Sequence, residues 1–229
     1  MQLFSNYDTT KQVIFLQTIL INVENILTDY VPRTINFWKT KANMINKELP
    51  SDFIDSFLSA GYDQKEKTFF RFPAFAQFEK ESENLFLEVH KQFQDNNPTI
   101  QTILALQKKH GLQVGLIYDQ RKTQANSISE YLQKKLNPIV QLYVEDAFLG
   151  KPEGNIYTKA KALCHLKAND TLVLDASKNG VLAAYLAHMK GIYLDQGAGV
   201  SEKTYKFSYR SIHTFSQLED ILIQLNSQQ

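Results

Sequence analysis

The sequence has 229 residues, of which 43% are hydrophobic and 21% are charged, and its formal net charge is +1. A chain of this length can bury one substantial core without disulfides or a structural metal. Its near-neutral charge gives no electrostatic case for a nucleic-acid partner. The single cysteine, Cys164, excludes an intrachain disulfide and fits a reducing compartment.

The longest apolar run, Val13–Ile21, is too short to span a bilayer, which takes roughly 18 residues or more. It is not preceded by a cluster of positive charge and is not followed by a small-residue cleavage pattern, so it does not resemble a signal peptide. We therefore expect a cytoplasmic protein without a membrane partner.

The same run is short and rich in β-branched residues, which predicts a strand buried within a parallel sheet. From residue 23 to residue 96 the apolar residues instead fall at helical spacing. This segment also carries a dense aromatic cluster: Phe69, Phe70, Phe72, Phe75 and Phe78. We interpret the cluster as the core of an all-helical unit, with a hydrophobic docking surface as the alternative.

Strands and helices alternate after residue 97. The predicted elements are a helix from Pro98 to Gly111, a strand at Leu112–Tyr118, a helix at Ile128–Leu136, a strand at Ile139–Val144, a helix at Ile156–Leu166, a strand at Thr171–Leu174, a helix at Val181–Met189, a strand at Gly191–Leu194 and a last helix opened by a capping box of Ser216 and Glu219. Such alternation predicts an α/β fold, a Rossmann-like parallel sheet with helices on both faces. We expect residues 1–22 and 97–229 to form this core and residues 23–96 to form a helical cap over the carboxyl ends of its strands.

Two segments give a specific resemblance. The run from Phe148 to Tyr157 contains Gly150-Lys151-Pro152, and the strand that follows leads into Asp175-Ala176-Ser177-Lys178-Asn179-Gly180. They resemble the third and fourth motifs of the haloacid dehalogenase (HAD) superfamily, in the helical-cap branch of β-phosphoglucomutase and phosphoglycolate phosphatase. The resemblance covers almost the whole chain and implies the HAD-like fold.

In that family the first strand ends in Asp-x-Asp, whose first carboxylate attacks phosphorus and whose second is the acid/base. Two registers are open for this sequence. One places Leu16 and Thr18 at the two aspartate positions, and the other places Phe15 and Gln17 there. Neither register supplies a carboxylate, so the resemblance predicts that the nucleophile is absent.

The later motifs are partly kept. Tyr118 stands at the position of the second-motif hydroxyl, where we expect it to fill an abandoned pocket. The resemblance makes Lys151 and Asp175 the candidate catalytic residues. The fourth motif has two registers: the preferred one places Ala176 at the main metal aspartate, and a slip of one residue makes Asp175 the ligand, with Asn179 as its partner.

One carboxylate without the Asp-x-Asp pair is a poor site for Mg²⁺, which needs near-octahedral oxygen ligands. We therefore expect no cofactor, and assign Asp175 as a doubtful magnesium ligand only if the protein is an active hydrolase. Our first hypothesis is a HAD-like protein that has lost phosphatase activity and binds a small metabolite or a protein partner in the cleft between core and cap. The alternative is a HAD-type hydrolase of a small phosphorylated substrate that uses displaced groups, with Asp175 or Asp119 near Lys151. A structural subunit is a third possibility, and the sequence leaves the oligomeric state open.

Overall fold

The computed structural model describes residues 18–60, 65–93, 97–147, 151–152, 155–197 and 202–227. Their strands form one six-stranded parallel sheet in the order β3-β2-β1-β4-β5-β6. The strands are β1 (Thr18–Asn22), β2 (Gln113–Ile117), β3 (Val140–Leu142), β4 (Thr171–Asp175), β5 (Lys190–Leu194) and β6 (Arg210–Ile212). The predicted α/β, Rossmann-like sheet is confirmed.

β1 lies at the centre of the sheet, between β2 and β4. All of its residues are buried, as an apolar, β-branched strand covered on both faces should be. The described strand begins at Thr18 and continues to Asn22, one residue past the predicted end. Residues 13–17 of the predicted strand lie outside the described residues.

Ten helices cover the described parts of the chain. They are α1 (Tyr30–Met44), α2 (Phe53–Ser59), α3 (Lys65–Arg71), α4 (Glu79–Lys91), α5 (Pro98–His110), α6 (Lys122–Leu136), α7 (Ile156–Leu163), α8 (Lys178–Leu186), α9 (Glu202–Phe207) and α10 (Gln217–Ser227). Between β1 and α5, the residues described include helices and turns but no strand. We call residues 30–91 the helical segment. In the described ranges, no helix combines the length and apolarity that crossing a membrane takes.

The sheet is packed on both faces because the side chains of its strands alternate. Ile19 and Ile21 belong to the larger apolar cluster, which also holds the buried faces of α5, α6, α10 and the helical segment. Leu20, between them, belongs to a second cluster with α7 and α8. This alternation fixes the direction in which the polar residues at the strand ends point.

Helix ends follow the expected chemistry in α5 but not in α10. Asn97 caps α5, its Oδ1 accepting from the Thr99 backbone amide at 2.8 Å, and Gly111 ends that helix at φ 64°. The predicted capping box before α10 is wrong. The Glu219 carboxylate instead accepts from Lys109 Nζ at 2.7 Å and contacts His110 Nε2 at 3.0 Å, because α5 supplies two basic groups at its C-terminus.

The helical segment has its own aromatic core around Trp38, which is 0% exposed. Its ring lies 4.8 Å from that of Phe53 and 5.1 Å from that of Phe57, in edge-to-face contacts. Phe69 and Phe75 also pack there, whereas Phe70 is 92% exposed.

Candidate functional site

Three neighbouring strands of the sheet bring polar side chains to one edge. β1 ends at Asn22, β4 ends at Asp175, and Asp119 follows the end of β2 by two residues. Because these strands are parallel and adjacent, their carboxyl ends meet, and the strand register pairs Asn22 with Ile117. This is the edge at which open α/β sheets bind ligands.

Lys151 joins the two carboxylates at this edge. Its Nζ lies 3.0 Å from Asp119 Oδ1 and 2.8 Å from Asp175 Oδ2, and the lysine side chain is 9% exposed. Burial lowers the pKa of the Lys151 ammonium, but the Asp119 and Asp175 carboxylates outweigh that effect and hold the pKa well above its ordinary value. Lys151 is therefore a charged ammonium held in a buried ion-pair network.

The Asp175 carboxylate is fully buried, and both of its oxygens have protein donors. Oδ2 accepts from Lys151 Nζ at 2.8 Å and from the Tyr157 hydroxyl at 2.9 Å. Oδ1 accepts from the Ser177 amide and hydroxyl, both at 2.9 Å, and from Asn25 Nδ2 at 3.2 Å. Asp175 thus organises the site, and the protein itself fills its hydrogen-bonding capacity.

Asn22 stands where β1 leaves the sheet. Its Nδ2 donates to Asp119 Oδ2 at 2.7 Å, and its Oδ1 accepts from the Asn25 backbone amide at 2.8 Å. The second bond caps a buried helical turn, Val23–Leu27. A carboxamide used in this way is a hydrogen-bonding group and not a nucleophile.

Glu24 is buried beside this group. Its Oε2 accepts from the Asp119 backbone amide at 2.9 Å, and its Oε1 accepts from Gln120 Nε2 at 3.0 Å. Burial and the nearby Asp119 charge raise the pKa of Glu24 to about 8. The carboxyl is therefore mostly protonated at neutral pH, as expected for an acid desolvated next to a like charge.

The helical segment closes over these residues. Lys65 of α3 lines a cavity of about 10 Å³ with Glu24, Asp119 and Phe86, which leaves room for about one water molecule. Burial lowers the pKa of Lys65 to about 7, against the opposing effect of Asp119. The described residues therefore leave little space between Lys65, Glu24 and Asp119.

A larger groove lies outside, between the helical segment and α8. Its volume is about 490 Å³, and its lining includes Arg71, Lys151 and Lys178. Asn179, at the start of α8, connects the core to the helical segment here, because its Nδ2 donates to the Ser59 carbonyl of α2 at 2.9 Å. The groove therefore offers basic groups next to a contact that holds the helical segment on the core.

The family resemblance implies a magnesium ion at this edge, and the described residues do not fit one. Asp175 is saturated by donors, Asp119 accepts from Asn22 and Lys151, and Glu24 is mostly protonated. Throughout the described ranges, no group of three or more His, Cys, Asp or Glu side chains is placed to hold a metal ion. Mg²⁺ prefers several unprotonated oxygen ligands, which this arrangement does not present.

The structure changes the register of the first motif. Thr18 is the first residue of β1, at the far end of the strand from Lys151, while Phe15, Leu16 and Gln17 lie outside the described residues. The strand end occupied by Asp-x-Asp in the family is here Asn22-Val23-Glu24. The predicted strand, Val13–Ile21, ends within one residue of Asn22, but both proposed registers placed the motif upstream of its carboxyl end, at residues 15–18.

At the second and fourth motifs, too, the residues that point into the site differ from those expected from the sequence. Tyr118 does not enter the site: its hydroxyl donates to Gln141 at 2.7 Å and its ring stacks on Tyr143 at 4.7 Å, so Asp119 is the residue that reaches Lys151. In the fourth motif Asp175 points into the site, whereas Ala176 packs in the apolar core. Asp175 thus has the position that the alternative register gave it, whereas Asn179, its partner in that register, contacts Ser59 and not Asp175.

Four site residues were absent from the candidates drawn from the sequence: Asn22, Glu24, Asn25 and Tyr157. A signal for two of them exists, since Asn22-x-Glu24 keeps the spacing of Asp-x-Asp with an amide and a longer acid. It was hidden because the motif had been placed upstream. Lys151 and Asp175, which were candidates, lie together as described above.

Comparison with known proteins gives matches at the level of structure only. No protein-family model matches the sequence, and no curated protein matches it. A phosphonoacetaldehyde hydrolase-like protein from Oleispira antarctica has a TM-score of 0.67 at 11% identity, covering 99% of this chain and 97% of its own. A β-phosphoglucomutase from Clostridium difficile has a TM-score of 0.60 at 13% identity, covering 92% and 97%.

A protein from Bacteroides fragilis described as a haloacid dehalogenase-like hydrolase has a TM-score of 0.60 at 17% identity, covering 88% of this chain and 99% of its own. These likenesses span nearly the full length of each chain. At such low identity they carry the fold and not the activity. The chain therefore has the fold of the haloacid dehalogenase superfamily, with an all-helical segment inserted after the first strand.

Proposed function

We propose that this protein uses the HAD fold for binding and not for phosphoryl transfer. The observation that carries the proposal is Asn22 at the end of β1, where a nucleophilic carboxylate would have to stand. Its amide is engaged with Asp119 and with the Asn25 backbone. Covalent phosphoryl transfer through an aspartyl intermediate requires an ionised carboxylate at that point.

The state of Lys151 supports the same proposal. A lysine that stabilises a transferring phosphoryl group must have donors available to phosphate oxygens. Here the ammonium contacts both Asp119 and Asp175, which occupy two of its three donors. A phosphate oxygen that approached Lys151 from the groove beside α8 would have to compete with these carboxylates.

The groove beside α8 is the best candidate for a ligand. Its volume of about 490 Å³ lies within the range of small-molecule sites. Its lining includes four basic side chains, Lys67, Arg71, Lys151 and Lys178, against the acidic Asp55. Arg71 is itself paired with Asp52, and the remaining excess of positive charge favours a small anionic metabolite over a neutral one. The protein partner that the sequence left open has no comparable support, so we propose a small anionic molecule as the ligand.

The test of inactivity is a phosphate-release assay with p-nitrophenyl phosphate and glucose 1-phosphate in the presence of Mg²⁺. We expect no release above that of a protein-free blank. Lys151→Ala and Lys159→Ala form a matched pair, because Lys159 is also paired with an aspartate but lies 40% exposed at Asp146. Magnesium-dependent turnover that Lys151→Ala abolishes and Lys159→Ala leaves intact would show that the proposal is wrong.

A second candidate, a HAD-type hydrolase with displaced groups, has one favourable observation. Asp119 is a carboxylate with 18% of its side chain exposed, next to the Lys151 ammonium and the mostly protonated Glu24. A carboxylate beside a neutral acid is an arrangement that general acid/base catalysis uses. This candidate predicts turnover that Asp119→Asn removes.

A further inference from the structure

The ion-pair network of Asp119, Lys151 and Asp175 contains a cation that belongs to the chain itself, the Lys151 ammonium. The Lys151 Nζ lies between Asp119 Oδ1 at 3.0 Å and Asp175 Oδ2 at 2.8 Å. These carboxylates come from the ends of two different strands, and the lysine comes from a third segment. The ammonium therefore bridges two anionic groups, as a bound metal ion would.

We propose that the Lys151 ammonium is the resident cation of this site and replaces a divalent metal ion. The oxygens of Asp119 and Asp175 that a metal would use are those that accept from Lys151. A tethered ammonium is held next to them at a very high effective concentration. A divalent ion would have to expel it or bind beside it against direct charge repulsion.

The charge balance of the buried group leads to the same conclusion. Two carboxylates, Asp119 and Asp175, are in direct contact with the Lys151 ammonium. A divalent cation bound beside this ammonium would bring three positive charges to two carboxylates in a largely buried site, which is unfavourable.

Further contacts hold the arrangement in place on both sides. Tyr157, Ser177 and Asn25 orient the Asp175 carboxylate, and Asn22 Nδ2 donates to the other oxygen of Asp119 at 2.7 Å. These donors do not compete with Lys151 for its two oxygens, apart from Tyr157, which shares Asp175 Oδ2. Removing the ammonium should thus leave two preoriented carboxylates without their cation.

The experiment uses Mn²⁺ as the probe, detected by electron paramagnetic resonance of the free ion during titration of the full-length protein. The wild type should not deplete Mn²⁺ specifically. Lys151→Met, which keeps the length of the side chain and removes its charge, should bind one Mn²⁺ at least about tenfold more tightly than the wild type, because a like charge has left the site. Lys159→Met, the matched control at another lysine–aspartate pair, should behave as the wild type.

Two outcomes would overturn the proposal. One is stoichiometric Mn²⁺ binding by the wild type that Asp175→Asn abolishes, and the other is a folded Lys151→Met that gains no Mn²⁺ site. If Lys151→Met is folded but destabilised, its thermal unfolding is followed with and without Mn²⁺. Stabilisation by Mn²⁺ supports the proposal, and a melting curve that Mn²⁺ does not move contradicts it. Neither result depends on phosphatase activity, so the test is independent of the proposed function.

Discussion

At the scale of single residues, the amide of Asn22 determines how the end of β1 contacts Asp119. An asparagine can donate to Asp119, whereas an aspartate at the same place would bring two carboxylates within hydrogen-bond distance. The neighbouring Glu24 already avoids such repulsion by holding its proton. The site is therefore adapted to the amide.

Asn22→Asp should destabilise the protein by roughly 2–4 kcal/mol, because a buried donor is lost and a like charge is placed beside Asp119. The free energy of unfolding in urea measures this. The double variant Asn22→Asp/Asp119→Asn is the informative control, since it exchanges donor and acceptor and should recover most of the loss. Equal stability of Asn22→Asp and the wild type at pH 7 would show that Asn22 does not carry this role.

At the scale of elements, the helical segment is stabilised mainly by its aromatic core. Trp38 contacts rings from α1, from α2, from α3 and from the turn before α4. Trp38→Ala should cost roughly 3–5 kcal/mol, the usual range for removing a large buried aromatic side chain. Hydrogen exchange should show loss of protection in α1–α4 before β1 and β4.

The matched control is Phe70→Ala, because this ring is 92% exposed and comes from the same aromatic run. It should leave both stability and exchange unchanged within about 0.5 kcal/mol. Equal loss of protection in the helical segment and in the central strands of Trp38→Ala would show that the two parts unfold as one cooperative unit. It would contradict the prediction that the aromatic core stabilises the helical segment separately.

The sequence predicts best those elements whose hydrophobic pattern indicates burial. Alternating apolar runs report burial, and burial forms the sheet, so the strands from β2 to β5 lie where the pattern placed them. The first strand was also found, with its end one residue short of Asn22, but the motif within it was placed upstream, at residues 15–18. The edge strand β6 is too short to give a pattern.

The site was harder to predict than the fold because it depends on side-chain direction. The family resemblance identified Lys151 and Asp175, whose motif residues are kept. It assigned the second-motif position to Tyr118 and not to Asp119, and an error of one residue in register turns a side chain from the site to the core. Glu24 gives no sequence signal of its protonation, which results from burial against Asp119 in the folded protein.

At the scale of the whole molecule, two of the buried groups with shifted pKa values, Glu24 and Lys65, should make the free energy of unfolding depend on pH. The pKa of Glu24 rises from 4.5 to about 8, so between these values the folded state keeps a proton that the unfolded state releases. The free energy of unfolding should therefore fall as the pH rises through this window, by up to about 1.4 kcal/mol per pH unit.

Lys65 acts in the opposite sense at higher pH. Its pKa falls from 10.5 to about 7, so between these values the unfolded state holds a proton that the folded state has released, and the free energy of unfolding rises with pH. The two effects together predict a minimum of stability between about pH 7 and 8. Urea unfolding from pH 5 to pH 10 measures the curve.

Two variants separate the contributions of these groups. In Glu24→Gln the free energy of unfolding should no longer fall as the pH rises towards 8, and in Lys65→Met it should no longer rise with pH above pH 7. Each substitution removes one titrating group and keeps the approximate shape of the side chain. Both side chains line the cavity where the helical segment meets the sheet. The falling and the rising part of the pH curve therefore both depend on the packing of the helical segment against the sheet. A wild-type curve parallel to that of Glu24→Gln from pH 5 to pH 8 would mean that Glu24 is ionised in the folded protein.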